Sequence, residues 1–250
     1  MRAEEVANAF TTPLTAPPYR PARHWFTRRE YFNIIYRTDP EPLRRAVPEP
    51  LEIDHPLVRF EVVHMGDVDG FGPYTECGQA IPVHLGGEYG EYLHAMYLDN
   101  FGGAVSGREH GAYPKAWGSP QLRTEHGALV GTLDLGSLRV ATATMGYKTA
   151  PRPVEQARAL ITLPTYMVKL VPGYDARPRV CDLVRTQITE VVVHEAWSGP
   201  GRLQLFEHVL APLADLPVRE VVDASHVVSD LALEPVQPVH DYLADAREES

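Results

Sequence analysis

The segment Leu57-Val58-Arg59-Phe60-Glu61-Val62-Val63 alternates with a period of two. In an extended chain this sets Val58, Phe60 and Val62 on one face and Arg59, Glu61 and Val63 on the other. It predicts a strand, and the charged face among apolar residues is its distinctive feature. Outward from it, residues 31–37, 92–98, 138–145, 166–171 and 187–194 are also strand-like, rich in β-branched and aromatic side chains and separated by glycine or proline. Helical signals are few: residues 40–47 after a possible cap at Asp39, residues 153–161, and a last helix over residues 239–247. With 23 prolines in 250 residues, many short elements with stiff connections are expected. There is no repeat, heptad pattern or low-complexity linker. Residues 1–250 therefore read as one sheet-rich domain, with residues 1–11 and 245–250 as flexible or oligomer-contacting ends.

Composition narrows the function class. A formal net charge of -10 leaves no basic stripe to displace counterions from phosphates, so nucleic acid is not an expected partner. Anionic ligands must then be held by local cations. Cys77 and Cys181 are too few and too far apart for a disulfide framework or a zinc knuckle, and read as free core thiols. No basic segment leads into an apolar stretch after Met1, and no run of about eighteen apolar residues occurs, so a cytoplasmic protein with no membrane partner is expected. His194-Glu195 lacks the second histidine that a zinc-binding helix face requires four residues on. Gly103-Ala104-Val105-Ser106-Gly107 puts its serine one place off a nucleophile elbow, and Gly70-Phe71-Gly72 lacks the third glycine of a dinucleotide loop. Both read as turns. No metal or cofactor site is legible.

What remains are charges embedded in apolar sequence: Arg29, Glu61, Glu76 and Lys115. Lys115 stands out because the chain holds only three lysines, Lys115, Lys148 and Lys169, against twenty arginines. Arginine supplies charge, but chemistry that needs a neutral amine requires lysine, since a guanidinium does not deprotonate in proteins. A free lysine titrates near pH 10.4, so only about one amine in two or three thousand is a nucleophile at pH 7. Tyr113 and Trp117 flank Lys115 at two residues on either side, with no charge nearer than Glu109. Burial in such company disfavours the charged form. The plainer alternative is an amine that snorkels into water. Likewise Arg29 could pair with Glu30, Glu61 could face water, and Glu76 could sit on a turn after Pro73. Together the four supply what Schiff-base chemistry on a small keto acid requires.

Long stretches of the chain resemble the acetoacetate decarboxylase family. They are REYFNIIYRTD from Arg29, VPEPLEIDHPLVRFE ending at Glu61, YTECGQAIPV from Tyr74, EYLHAMYLDN ending at Asn100, GREHGAYPK ending at Lys115, VGTLDLGSLRVATATMGYK ending at Lys148, and HEAWSGPGRLQLFEHVLAPLADLPV from His194. The resemblance implies an α+β, mainly antiparallel β fold: a sheet curled into a cone-like closed β-barrel with peripheral helices and an interior site. It also implies a large homo-oligomer, a dodecamer, a 3-oxo acid substrate and no cofactor. By it Lys115 is the Schiff-base lysine, and Arg29, Glu61 and Glu76 are the polar catalytic residues. Arg29, Met96 and Tyr113 are the expected substrate-binding residues.

One position departs from the pattern. In the well-known decarboxylases a second lysine follows the catalytic one, and that family is the usual example of a lysine activated beside another cation. Here the place holds Ala116. The expectation is that desolvation chiefly activates Lys115, helped by a pocket lip that Ala116 and Trp117 make apolar. The expected reaction is decarboxylation of acetoacetate to acetone and carbon dioxide through an imine. Two alternatives use the same frame: a Schiff-base aldolase or dehydratase acting on pyruvate, and a non-catalytic barrel that binds a small ligand.

Overall fold

The structure, a computed structural model, describes residues 1–244. Its helices are α1 (Ala3–Ala7), α2 (Pro40–Ala46), α3 (Phe101–Glu109) and α4 (Val154–Ile161). The strands of its first half are β1 (His24–Arg37), β2 (Leu57–Met65), β3 (Asp67–Val68), β4 (Tyr74–Leu85), β5 (Glu88–Leu98), β6 (Lys115–Trp117) and β7 (Ser119–Glu125). They continue as β8 (Ala128–Leu135), β9 (Leu138–Gly146), β10 (Ala150–Pro151), β11 (Thr165–Pro172), β12 (Pro178–Thr186), β13 (Ile188–Ser198), β14 (Gly201–Leu205), β15 (Glu220–Leu233) and β16 (Gln237–Asp241). Most of the ordered chain is strand, and the helices are few and short.

A 12-stranded sheet runs β10-β13-β15-β1-β2-β4-β5-β11-β12-β16, with β3 on β1 and β6 on β5. A 4-stranded sheet runs β14-β9-β8-β7. Alternation on β1 and β2 decides how the two meet. Phe32, Ile34, Phe60 and Val62 point to one face and pack with Leu129, Leu133, Val140 and Leu203 of the small sheet in one buried cluster. Each such side chain contributes roughly 1.5–3 kcal/mol on burial. Gly131 on β8 permits the approach: a Cβ there would lie 2.8 Å from Val62 Cγ2 and 3.1 Å from Phe32 Cδ1. The opposite face of the large sheet carries the charges.

The closed barrel is overturned. The strand path begins at β10 and ends at β16, and these two do not pair with each other. The cause lies at β5, whose outer edge is divided. Glu91 and Tyr92 pair in parallel with Thr165 and Tyr166 of β11, while Met96 to Leu98 pair in parallel with Lys115 to Trp117 of β6. Neither partner follows β5 along its length, so β11, β12 and β16 leave as a ribbon, and the continuous ladder that closure demands never forms. Residues of α3 and α4 instead border the hollows on the charged face.

Two helix expectations change as well. Residues 103–107 lie in α3, not in a turn: the Asn100 side chain accepts from Gly103 N at 2.8 Å and caps the helix. Residues 237–241 form β16 on β12, residues 242–244 of the expected last helix are helical, and its part from 245 on lies outside the described residues. No helix among the described residues is long and apolar enough to cross a membrane.

Candidate active site

Register places the charged groups on one face of neighbouring strands. Asn33 of β1 lies opposite Glu61 of β2, Glu61 opposite Gly78 of β4, Gly78 opposite Met96 of β5, and Met96 opposite Lys115 of β6. Arg59 and Glu61, two apart on β2, point the same way, as do Glu76, Gly78 and Ala80 on β4. Arg29, Tyr31 and Asn33 alternate without a break on β1, so Arg29 joins them in register. A bulge at Thr27 and Arg28, with Arg28 at φ 50° and its N–H donating 2.7 Å to Asp230, turns Phe26 onto the same face beside Arg29. Glu30 then points to the other side, where it pairs with His226 at 2.7 Å, so Arg29 and Glu30 do not neutralise one another.

Arg29, Arg59, Glu61, Glu76 and Lys115 line one cavity, with Tyr31, Tyr74, Met96 and Tyr113 as its walls and Ile161 and Leu163 as its cover. A second hollow, bounded by Gly103, Ser106 and Gly107 of α3, meets it at Tyr74, Tyr113 and Lys115. The amine therefore stands at a junction. Lys115 is 8% exposed, Arg29 8%, Glu61 4% and Glu76 4%. Neither carboxylate faces water, and Glu76 lies within a strand.

Lys115 is held from two sides. Its Nζ lies 2.6 Å from Glu76 Oε1, an ion-pair contact whose direction is wrong for a hydrogen bond. The Nζ also donates to Gly103 O at 3.1 Å and stands 5.1 Å from the Tyr113 ring centre. α3 fixes the backbone too, since Arg108 donates 2.9 Å to Lys115 O. The charge beside the amine is thus Glu76 of β4, not any of its neighbours in sequence. Trp117 is 64% exposed, and neither it nor exposed Ala116 lines the cavity, so the expected apolar lip is not there. Ala116 pairs with Tyr97, on the face of β6 away from the amine.

Arg29 is the reverse case. Its guanidinium sits 4.7 Å from the Tyr31 ring centre and 5.1 Å from that of Phe26, and it makes no ion pair or hydrogen bond among the described residues. Burial works against its charge, but Tyr31, Glu76 and Glu61 hold its pKa above the ordinary value. Desolvation likewise raises the phenols: Tyr31 to about 12, with Tyr74 and Tyr113 also pushed up, so all three are neutral donors at pH 7. Tyr31 OH is buried without a partner. Two unsatisfied donor groups thus adjoin the cavity, and a carboxylate is the complement of such a pair.

Arg59 and Glu91 also line this cavity and were missed as site residues. The available signal was period two, since Arg59 shares the face of Glu61.

Comparison with known proteins fits this geometry. Residues 11–243 match the family described as acetoacetate decarboxylase (ADC). The chain is 59% identical to the acetoacetate decarboxylase of Streptomyces nogalater, over 98% of this chain and 100% of that one. It is 54% identical to that of Clostridium acetobutylicum, over 97% and 100%.

The chain belongs to the acetoacetate decarboxylase family.

A solved structure described as "Structural Studies of Acetoacetate Decarboxylase" superposes with a TM-score of 0.95 at 54% identity, covering 97% of this chain and 100% of the other. Membership in the acetoacetate decarboxylase family thus goes with a likeness over nearly the whole fold.

Proposed function

We propose that this chain decarboxylates acetoacetate to acetone and carbon dioxide through a Schiff base on Lys115. The observation that carries this reading is a buried amine in contact with one carboxylate and facing an arginine that has no anion. Lys115 turns an N–H into line with Glu76 Oε1, 2.6 Å away, passes it the proton and attacks the ketone carbon as a neutral amine. Glu76 returns the proton as water leaves, and a protonated imine forms. Arg29 and the Tyr31 hydroxyl orient the substrate carboxylate. The bond between the carboxylate and the α carbon then breaks, carbon dioxide leaves, and the electron pair moves through the α carbon to the imine nitrogen as an enamine. Protonation at carbon and hydrolysis release acetone and free Lys115. Met96 and Tyr113 wall the reacting carbon. Exposed Phe206, Val209 and Leu210 support the further reading that the protein works as a large homo-oligomer.

Incubation with acetoacetate and borohydride tests the reaction. The expected result is carbon dioxide release without reductant and, with it, a substrate-dependent mass increase on the peptide carrying Lys115. Lys115→Arg should lose both. No mass increase on that peptide rejects the Schiff base. Product from pyruvate plus an aldehyde, without carbon dioxide from acetoacetate, would instead identify an aldolase or dehydratase.

A further inference from the structure

Six buried charges stand in a row of alternating sign across the cavity: Glu91, Arg59, Glu61, Arg29, Glu76 and Lys115. The far end of the row takes no part in the chemistry above, yet it holds its strongest hydrogen bonds. Arg59 Nε donates to Glu91 Oε1 at 2.8 Å and its second terminal nitrogen to Glu91 Oε2, a planar two-point fork. The remaining terminal nitrogen is thereby aimed along the sheet, where it donates to Glu61 Oε2 and, at 3.2 Å, to Asn33 Oδ1. To reach Glu91 on β5, Arg59 on β2 must cross β4, and the residue beneath it, its register partner, is Ala80. A larger side chain there would block the span. Arg59, Glu61 and Glu91 are 8%, 4% and 3% exposed, and burying such a triad costs several kcal/mol per ion before its mutual attraction is counted. A purely structural link between β2 and β5 could be apolar.

The two carboxylates nearest the amine are bound in opposite ways. Glu61 has an oxygen committed to Arg59, whereas among the described residues Glu76 has only the amine as ionic partner and its Oε1 makes no hydrogen bond. We propose that Arg59 and Glu91 are positioning residues that pin Glu61 as a fixed acceptor on the cavity floor, leaving proton exchange with Lys115 to Glu76. This rests on the Schiff-base reading. A rigid Glu61 gives Arg29 a constant negative neighbour on one side. Loss of Glu91 would free the Arg59 fork to turn, and Glu61 would move with it.

The test compares wild type with Glu91→Gln, Glu61→Gln, the double variant and Glu76→Gln, and uses Arg59→Lys in case Glu91→Gln fails to fold. For Glu91→Gln the expected result is a fall in kcat of roughly 10- to 100-fold, the cost of misplacing a site group by about 1 Å. KM should stay within about 3-fold, and borohydride should still trap Lys115. Adding Glu61→Gln should cost less than about 3-fold more, because both changes release the same group. Arg59→Lys should behave like Glu91→Gln, since an ammonium cannot make the fork. Glu76→Gln should instead abolish trapping at neutral pH. Wild-type kcat in Glu91→Gln, full multiplication of the Glu91 and Glu61 effects, or trapping that survives Glu76→Gln overturns the proposal. Absence of trapping in wild type would overturn the Schiff-base reading itself, so the two failures are distinguishable.

Discussion

At the scale of single residues, the Lys115 side chain lies against a helix with no room to spare. A Cβ on Gly107 would fall 2.6 Å from Lys115 Cδ and 3.0 Å from its Nζ. Only the flexible end of the lysine would have to move, while alanine favours the helix by about 1 kcal/mol over glycine. Gly107→Ala should therefore keep or raise Tm and lower kcat/KM by roughly 10- to 100-fold. Equal turnover in the two proteins would show that the amine tolerates displacement. Ala116→Lys separates two sources of reactivity. A lysine there would extend from the exposed face of β6, away from the cavity. Charges about 10 Å apart in a water-like dielectric shift a titration by only about 0.3 of a pH unit. The acid limb of the pH–rate profile should move by no more than that, and a rise in turnover of several hundredfold would show that the missing charge matters.

At the scale of elements, α3 is the part that sequence reasoning passed over. Its three glycines and one serine weaken helix propensity, and they are there because the lysine and Tyr74 press on it. Capping compensates. Asn100 closes the start, and Lys169 of β11 closes the end by donating to Arg108 O at 2.8 Å, Gly111 O at 2.6 Å and Glu109 O. Lys169→Met should remove about 1–2 kcal/mol of stability and slow borohydride trapping at Lys115, read from Tm and from mass spectrometry at short times. Unchanged trapping would mean that α3 holds the amine without that cap. Period two made β2 legible, and family-scale likeness picked out Arg29, Glu61, Glu76, Met96 and Tyr113. Neither could supply the ion pair to Glu76, which depends on register between β4, β5 and β6, nor the Arg59–Glu91 fork, which spans a strand. The divided edge of β5 was equally hidden, because two-residue parallel pairings leave no periodic mark.

At the scale of the whole molecule, acid should unfold the protein in two stages. His94 is pushed down by burial, so the unfolded chain takes up a proton near pH 6.5 that the folded one refuses, and stability is lost as pH falls below that value. The Glu30 carboxyl is held low by its bond to His226, and Glu195 by Lys148. Their stabilisation is present above the unfolded value near 4.3 and disappears as pH falls through the lower folded values. Tm should therefore decline gently from pH 6.5 to 5 and steeply below about 4.5. His94→Gln should flatten the first part and Glu30→Gln the second; parallel curves for all three proteins would remove these groups from the account. The interleaving of Phe60 and Val62 with Arg59 and Glu61 along one strand has a last consequence. Deleting or inserting a single amino acid within β2 would exchange lining for filling, drowning the reactants in hydrocarbon and sending ions into the sandwich at once. Descendants of this chain can vary that strand by replacement, but hardly by changes of length.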